Sequence, residues 1–504
     1  MLSRAGGRHS SKRGAVGAQF LAFDLGAESG RAILGRLRGD VLDIREVHRF
    51  ANEPVRLDGA LQWDILRLWL EMRRALDSLR KRDLVSIALD TWGCDFALLG
   101  EHGRLLENPY HYRDARTDGM MDRVFQRVPA EEIYAITGIQ FLPINTLYQL
   151  YAACLSTPKL VEAASTLLTI PDLLNYWLTG RIVSEYTNAT TTQFVDARTR
   201  GWATGLLSRL GVPTRLLPPL MEAGGVVGEV RSGACSSLAG TPVVAPACHD
   251  TGSAVASIAG GGRRAFLSSG TWSLLGKEVP VPIISPRSRE LNFTNEGGVF
   301  GTTRLLKNIA GMWLLQACRR TWAAAGQQFE YEELLSAASD PRHAFRVLFD
   351  PDHTAFLHPP DMVSAIARYC HETGQPEPDG PPAFTRAILE SLAFKYRAVI
   401  EALEQLTGER IEELQIVGGG SRNRLLNQFT ADATGCTVIA GPVEATALGN
   451  VALQMVGTAA VSSLADARRI IEGSFPVERF DPADRDRWNT HYRRFQDYLE
   501  LTCV

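Results

Sequence analysis

One local pattern occurs twice in this chain, and it limits the fold more than any other feature. Residues 19–25 are an apolar run carrying Asp24 near its end, Gly26-Ala27-Glu28-Ser29-Gly30 is a run of turn formers, and residues 31–37 resume a strand pattern. Later, Ala265-Phe266-Leu267-Ser268, Ser269-Gly270-Thr271 and residues 272–275 repeat strand, turn and strand. Glycine and serine tolerate the backbone angles of such turns. Two strand pairs, each followed by helix and strand patterns, specify two α/β bodies rather than a helix bundle or a β-sandwich. Length agrees, because 504 residues exceed what one hydrophobic core holds.

The segments between follow the same grammar. A third strand is predicted over 42–50. A helix is predicted over 64–82, with Asp64 as its cap and Ile65, Leu68, Trp69, Met72, Leu76 and Leu79 at helical spacing. Strands follow at 85–89 and 96–99. In the second half, a long helix covers 384–406 and a short strand 414–417. Gly418-Gly419-Gly420 then turns into a helix over 422–433, before a strand at 437–439 and a helix at 445–455. The flexible run Gly260-Gly261-Gly262 divides the chain into halves 19–259 and 260–504.

Residues 1–18 form a basic tail with Arg4, Arg8, Lys12 and Arg13 and no acid. It lacks the apolar centre of a secretory signal. It reads as a disordered tail or an over-long start, with an organelle-targeting peptide as the other reading.

Composition excludes several classes. Hydrophobic residues at 45% and charged residues at 22% are a globular balance. A net charge of −3 gives no footprint for nucleic acid. No apolar run reaches ~18 residues, so no membrane span is expected. The eight cysteines are scattered without CxxC spacing. That excludes a zinc-type cluster and suggests reduced thiols and a cytoplasmic home.

Neither GxxxxGK[ST] nor GxGxxG is present, so a bound nucleotide would use other turns. Asp24 to Gly30 is one candidate. Small residues let backbone N–H groups approach phosphate, and Asp24 would hold hydrated magnesium. Glu28 is awkward there, since a carboxylate repels phosphate unless it points away. Ser268 to Ser273 is a second candidate cradle, with the Thr271 hydroxyl. Each is equally readable as a plain hairpin, but two at the starts of similar halves argue for function. The glycine triplet permits close approach of a ring or phosphate at a helix start, or is only a packing turn.

Asp250, beside His249 and among small residues, is the best general base, able to deprotonate a hydroxyl. A helix cap is the plain alternative. A Cys248/His249 thiol site or an Asp/His metal site lacks partners. His371-Glu372 is not followed by the second histidine of HExxH. In Thr91-Trp92-Gly93-Cys94-Asp95, Trp92 offers a face to a sugar ring, Gly93 a close contact and Asp95 a hydroxyl acceptor, or else Trp92 is simply buried.

Taken together, these pieces resemble the FGGY family of carbohydrate kinases. The resemblance rests on DLGAESGR from Asp24, HRFANEPVRLDGALQWDILRLW from His48, LDTWGCDFALLG from Leu89, PINTLYQLYA from Pro143, HDTGSAV from His249, SSGTWSLLG from Ser268, LKNIAGMWLLQ from Leu306, VGGGSRNRLLNQFTADATG from Val417 and PVEATALGN from Pro442. It runs from about residue 19 to the C-terminal region, with motifs in family order.

The resemblance implies a two-domain α/β fold of the ribonuclease H-like, actin-like ATPase type, with the active site in the interdomain cleft. It implies ATP-dependent phosphorylation of a sugar. The tryptophan-bearing HRF…WD and TWG stretches point to L-rhamnulose and its 1-hydroxyl. Rivals are another ketose or polyol, such as L-fuculose or xylulose, and a non-catalytic sugar- or nucleotide-binding regulator. By motif match, Asp250 is the proton acceptor. Gly93, His249, Asp250, Thr251 and Asn308 contact sugar. Ala27, Glu28, Ser29, Gly30, Arg31, Thr271, Gln316 and Gly419 contact ATP, and Asp24 sits beside Mg2+. A monomer or homodimer is expected, with no nucleic-acid or membrane partner. Two departures stand out. Glu28 replaces a serine found in some relatives, and Thr430 and Thr434 stand where some carry cysteines, so no disulfide forms there.

Overall fold

A computed structural model describes residues 17–80, 84–357 and 359–502. The expected basic tail lies outside the described residues except for Gly17 and for Ala18, which begins the first strand. Cys503 and the predicted helix end at 81–82 are outside them too.

The first repeat builds a six-stranded sheet in the order Val226–Glu229, Pro242–Val244, Leu84–Thr91, Ala18–Leu25, Ser29–Arg38, Val41–Ala51. Ala18–Leu25 runs antiparallel to Ser29–Arg38 and parallel to Leu84–Thr91. The second repeat builds a seven-stranded sheet in the order Thr294–Gly297, Thr303–Ala310, Trp272–Val279, Arg264–Ser269, Glu413–Val417, Thr437–Ala440, Glu478–Phe480. Arg264–Ser269 likewise pairs antiparallel with Trp272–Val279 and parallel with Glu413–Val417. Both sheets therefore start with an antiparallel pair and continue in parallel across a crossover, a connection long enough to hold helices.

The helix predicted over 64–82 is Ile65–Asp77, and Asp64 caps it by accepting from Arg67 N at 3.1 Å. The long helix is Gly380–Thr407, and its apolar residues join the core of the second sheet. The expected helix over 422–433 is a short tight turn at Gly419–Arg422 followed by Arg424–Thr434. Asn423 interrupts the two because its side chain caps the second, accepting from Leu426 N at 3.0 Å.

Every strand of the first sheet precedes Gly260 and every strand of the second follows it. The helices do not divide there. Ala445–Gly457 returns to the first sheet, burying Leu448, Val451 and Met455 against Phe20 and Ala22. Gly449 makes this crossing possible, since a Cβ there would lie 1.7 Å from Ser253 O in the helix Asp250–Ala256. The parallel strands of both sheets end at one cleft, where ligands bind in open α/β sheets.

Candidate active site between the two sheets

The cleft has a volume of about 640 Å³ and draws its walls from both halves. At one end, Ala27, Glu28, Ser29 and Arg31 of the first turn face Gly270, Thr271 and the glycine triplet of the second half. The second turn closes through Gly270 N to Trp272 O at 2.9 Å and is braced by Trp313 N donating to Thr271 O at 3.1 Å. The three glycines differ in role. A Cβ on Gly418 or Gly420 would meet Ser269 at 3.0 or 2.0 Å, whereas one on Gly419 would meet nothing within 4 Å. Gly418 and Gly420 are needed by the turn, and Gly419 borders open cleft. Gln316 also lines this end, and its buried Oε1 has no hydrogen-bond partner among the described residues. Buried polar atoms are nearly always paired, so this one fits a ligand partner.

Gly30 is not brought into the cleft. It is buried, and a Cβ there would lie 2.2 Å from the Phe50 ring. The absence of a side chain there is what lets the two strands pack. Glu28 is exposed on the rim, where its charge acts on the Arg320 guanidinium.

Beneath the first turn, Asp24 is in register with Asp90 on the neighbouring strand. Arg31 pairs with both Asp24 and Glu444. Burial raises the Asp24 carboxyl above its usual range, while Arg31 pulls it down. Asp90 is fully buried and held well above the carboxylate range, chiefly by burial and then by Asp24. Asn450 Nδ2 donates to its Oδ2 at 2.6 Å, and Oδ1 has no hydrogen-bond partner among the described residues. Among the described residues, no group of three or more histidine, cysteine or acidic side chains could hold a metal alone. The carboxylate oxygens of Asp24 and Asp250 in one cleft still fit a hydrated magnesium ion, which keeps most of its waters and borrows one or two carboxylates.

The same cleft is lined by His249, Asp250, Thr251 and Asn308. Asp250 opens the helix Asp250–Ala256, and its Oδ1 accepts from Thr251 N at 2.5 Å and Thr251 Oγ1 at 3.1 Å. Its side chain is 32% exposed, so one face remains open to a substrate. His249 Nε2 lies 3.5 Å from that carboxylate, and its Nδ1 lies 3.1 Å from Glu296. The preceding peptide is held on both sides. Cys248 N donates to Glu185 Oε2 at 3.0 Å, while Cys248 O accepts from Thr91 N at 2.9 Å. Gly93 lies against Thr191 on the cleft wall. Asn308 donates to Gln140 Oε1 through N at 2.9 Å and Nδ2 at 3.0 Å, tying the two halves.

Asp95 is not the sugar-hydroxyl acceptor expected from the sequence. It is 1% exposed, and its oxygens are taken by Trp63 Nε1 at 2.6 Å, Trp92 Nε1 at 2.9 Å, Tyr112 N at 3.2 Å and Gln149 Nε2 at 2.9 Å. Burial pushes its carboxyl up to about 6 against the pull of these donors. Its work is to seat Trp92 against Trp63, with ring centroids 4.1 Å apart. Trp92 is buried by this pairing and still lines the cleft.

Apart from Gly30 and Asp95, the expected site residues line this one cleft. Sequence reasoning missed Gln140, Glu185, Thr294, Glu296 and Arg304. No turn or motif marks them: Gln140, Glu185, Glu296 and Arg304 are partners of residues far away in the chain, and Thr294 is a single hydroxyl on an edge strand.

The chain's two halves match known families. Residues 19–256 match the N-terminal domain of the FGGY family of carbohydrate kinases, and residues 265–458 match its C-terminal domain. A rhamnulokinase of Bacteroides thetaiotaomicron is 44% identical over 95% of this chain and 99% of its own length. A rhamnulokinase of Enterococcus faecalis is 40% identical over 96% and 98%. Among solved structures, gluconate kinase from Lactobacillus acidophilus superposes with a TM-score of 0.78 at 15% identity, over 97% of this chain and 98% of that one. Plasmodium falciparum glycerol kinase with ADP gives 0.76 at 16%, over 97% and 99%. These two likenesses are of fold alone. With both halves matched in order and the fold shared along its length, the chain belongs to the FGGY family of carbohydrate kinases.

Proposed function

We propose that this kinase transfers the γ-phosphoryl group of ATP to the 1-hydroxyl of L-rhamnulose, giving L-rhamnulose 1-phosphate and ADP. The observation that carries this reading is the likeness to curated rhamnulokinases, at 38–44% identity over more than nine-tenths of the chain. The cleft supports it, because small-residue turns from both sheets line it together with the polar side chains of His249, Asp250, Thr251 and Asn308.

In this reading Asp250 takes the proton of the 1-hydroxyl as the oxygen attacks phosphorus, while His249, Thr251, Gly93 and Asn308 hold the sugar. Ala27, Glu28, Ser29, Arg31, Thr271, Gln316 and Gly419 surround the nucleotide. Asp24 would hold Mg2+, which supplies charge neutralisation at the phosphates. Arg31 keeps Asp24 in place from the next strand. The transition state is loose, so positioning and electrostatics dominate. Enclosure by two halves excludes water, the competing acceptor. Reduced cysteines fit a cytoplasmic setting, as the seven described cysteines are all free.

Product analysis tests the reading. Protein, Mg-ATP and L-rhamnulose should give a phosphate monoester whose phosphorus couples to two C1 protons. ADP release without such an ester, or an ester at a secondary carbon, would refute it.

A further inference from the structure

We propose that the edge strand Thr294–Gly297 forms a hydroxyl-recognising wall of the sugar site, with Thr294 and Glu296 contacting the sugar directly and restricting it to neutral polyhydroxy ketoses. The proposal rests on the functional reading in one respect, that the sugar lies beside Asp250.

Both side chains line the cleft, and they are buried to 1% and 4% exposure. Thr294 Oγ1 has no hydrogen-bond partner among the described residues. A buried hydroxyl without a partner is costly, so one facing a cleft is best explained by a ligand that pairs with it. Glu296 Oε2 lies 3.1 Å from His249 Nδ1 and 3.2 Å from Arg304, yet makes no well-aligned hydrogen bond. Arg304 Nε is already engaged by Gly297 O at 2.9 Å. Burial raises the Glu296 carboxyl, but the charges of His249 and Arg304 outweigh it and hold the group below its usual value. The wall therefore presents an ionised acceptor with spare hydrogen-bonding capacity.

The neighbouring Asn308 adds to the same polarity. Its Nδ2 donates to Gln140 Oε1 and toward Glu296, which leaves its side-chain oxygen without a hydrogen-bond partner among the described residues. Acceptors at Glu296 and Asn308, with the adaptable hydroxyl of Thr294, suit a ligand rich in O–H donors. They disfavour a sugar acid, whose carboxylate would meet Glu296 with like charge. If Glu296 only balanced Arg304, no particular sugar hydroxyl would depend on it.

Steady-state kinetics separates these roles. The wild type, Thr294→Val, Thr294→Ser and Glu296→Gln would be compared on neutral ketoses, single-deoxy analogues and aldonates. Glu296→Gln is expected to raise the sugar KM about 10- to 100-fold, and Thr294→Val about 2- to 10-fold with recovery in Thr294→Ser. The KM for ATP should stay within twofold. One deoxy analogue should be discriminated against by the wild type but not by Thr294→Val. This near-isosteric variant keeps the test decisive if Glu296→Gln fails to fold. Sugar KM values within twofold in the variants, equal losses on every analogue, or a wild-type preference for an aldonate would overturn the wall. A wild type that prefers some other neutral ketose would instead overturn the L-rhamnulose reading, and the comparison would be run on that sugar.

Discussion

Asp250 and Gly419 both line the cleft, and the proposed role of each has a distinct signature. Asp250→Asn keeps the size and the bonds from Thr251 but cannot take a proton. Its kcat should fall by about 10²–10⁴, nearer the lower figure because a loose transition state needs little nucleophile activation. Sugar binding and melting temperature should change little. A capping role would reverse that pattern, with near-normal turnover and lower stability. Gly419→Val places a branched side chain in open cleft rather than against protein. It should raise the KM for ATP several-fold with an unchanged melting temperature; an unchanged KM would make the triplet a packing turn only. Residues of this kind were legible in the sequence because small turn formers and an acid beside a histidine announce themselves locally. Asp95 was misread, and the packing of Gly30 went unseen, because a turn sequence does not reveal that four donors or a phenylalanine ring wait across the fold.

At the scale of elements, the turn that presents His249 and Asp250 is supported from below by buried acids. Glu185 caps the helix Tyr186–Thr191 and also receives Cys248 N. Asp172 in the helix Ile170–Thr179 accepts from Thr169 Oγ1 at 2.6 Å, Ser184 Oγ at 2.8 Å and Glu185 N at 3.1 Å. Burial lifts Asp172 from 3.8 to about 6 and Glu185 from 4.5 to about 7, against the pull of their hydrogen bonds. A carboxyl raised on folding stabilises fully below its unfolded value, and that contribution is lost as pH rises through its folded value. For Asp172 the loss is on the order of 3 kcal/mol between about pH 4 and pH 7. Denaturant unfolding across that range should show the wild type losing stability relative to Asp172→Asn as pH rises. A pH-independent difference would contradict the assignment. Element types and order followed from hydrophobic period and turn chemistry. These supporting contacts did not, because they join segments tens of residues apart.

For the molecule as a whole, duplication of one strand-turn-strand unit explains why two sheets end at a shared cleft. The helix Ala445–Gly457 then ties the C-terminal half to the first sheet. Asn450 reaches Asp90, and Gln454 Nε2 donates to Leu21 O at 3.1 Å. The fold was legible because its repeated unit is local. The crossing back was not, since an apolar helix carries no mark of which sheet it covers; only Gly449, at a close helix contact, records it. The most direct measurement of the central claim is kcat/KM from ADP release with Mg-ATP across L-rhamnulose, L-fuculose, xylulose, gluconate and glycerol. L-Rhamnulose is expected to give the largest value. A larger value for any other member of the panel would contradict the claim.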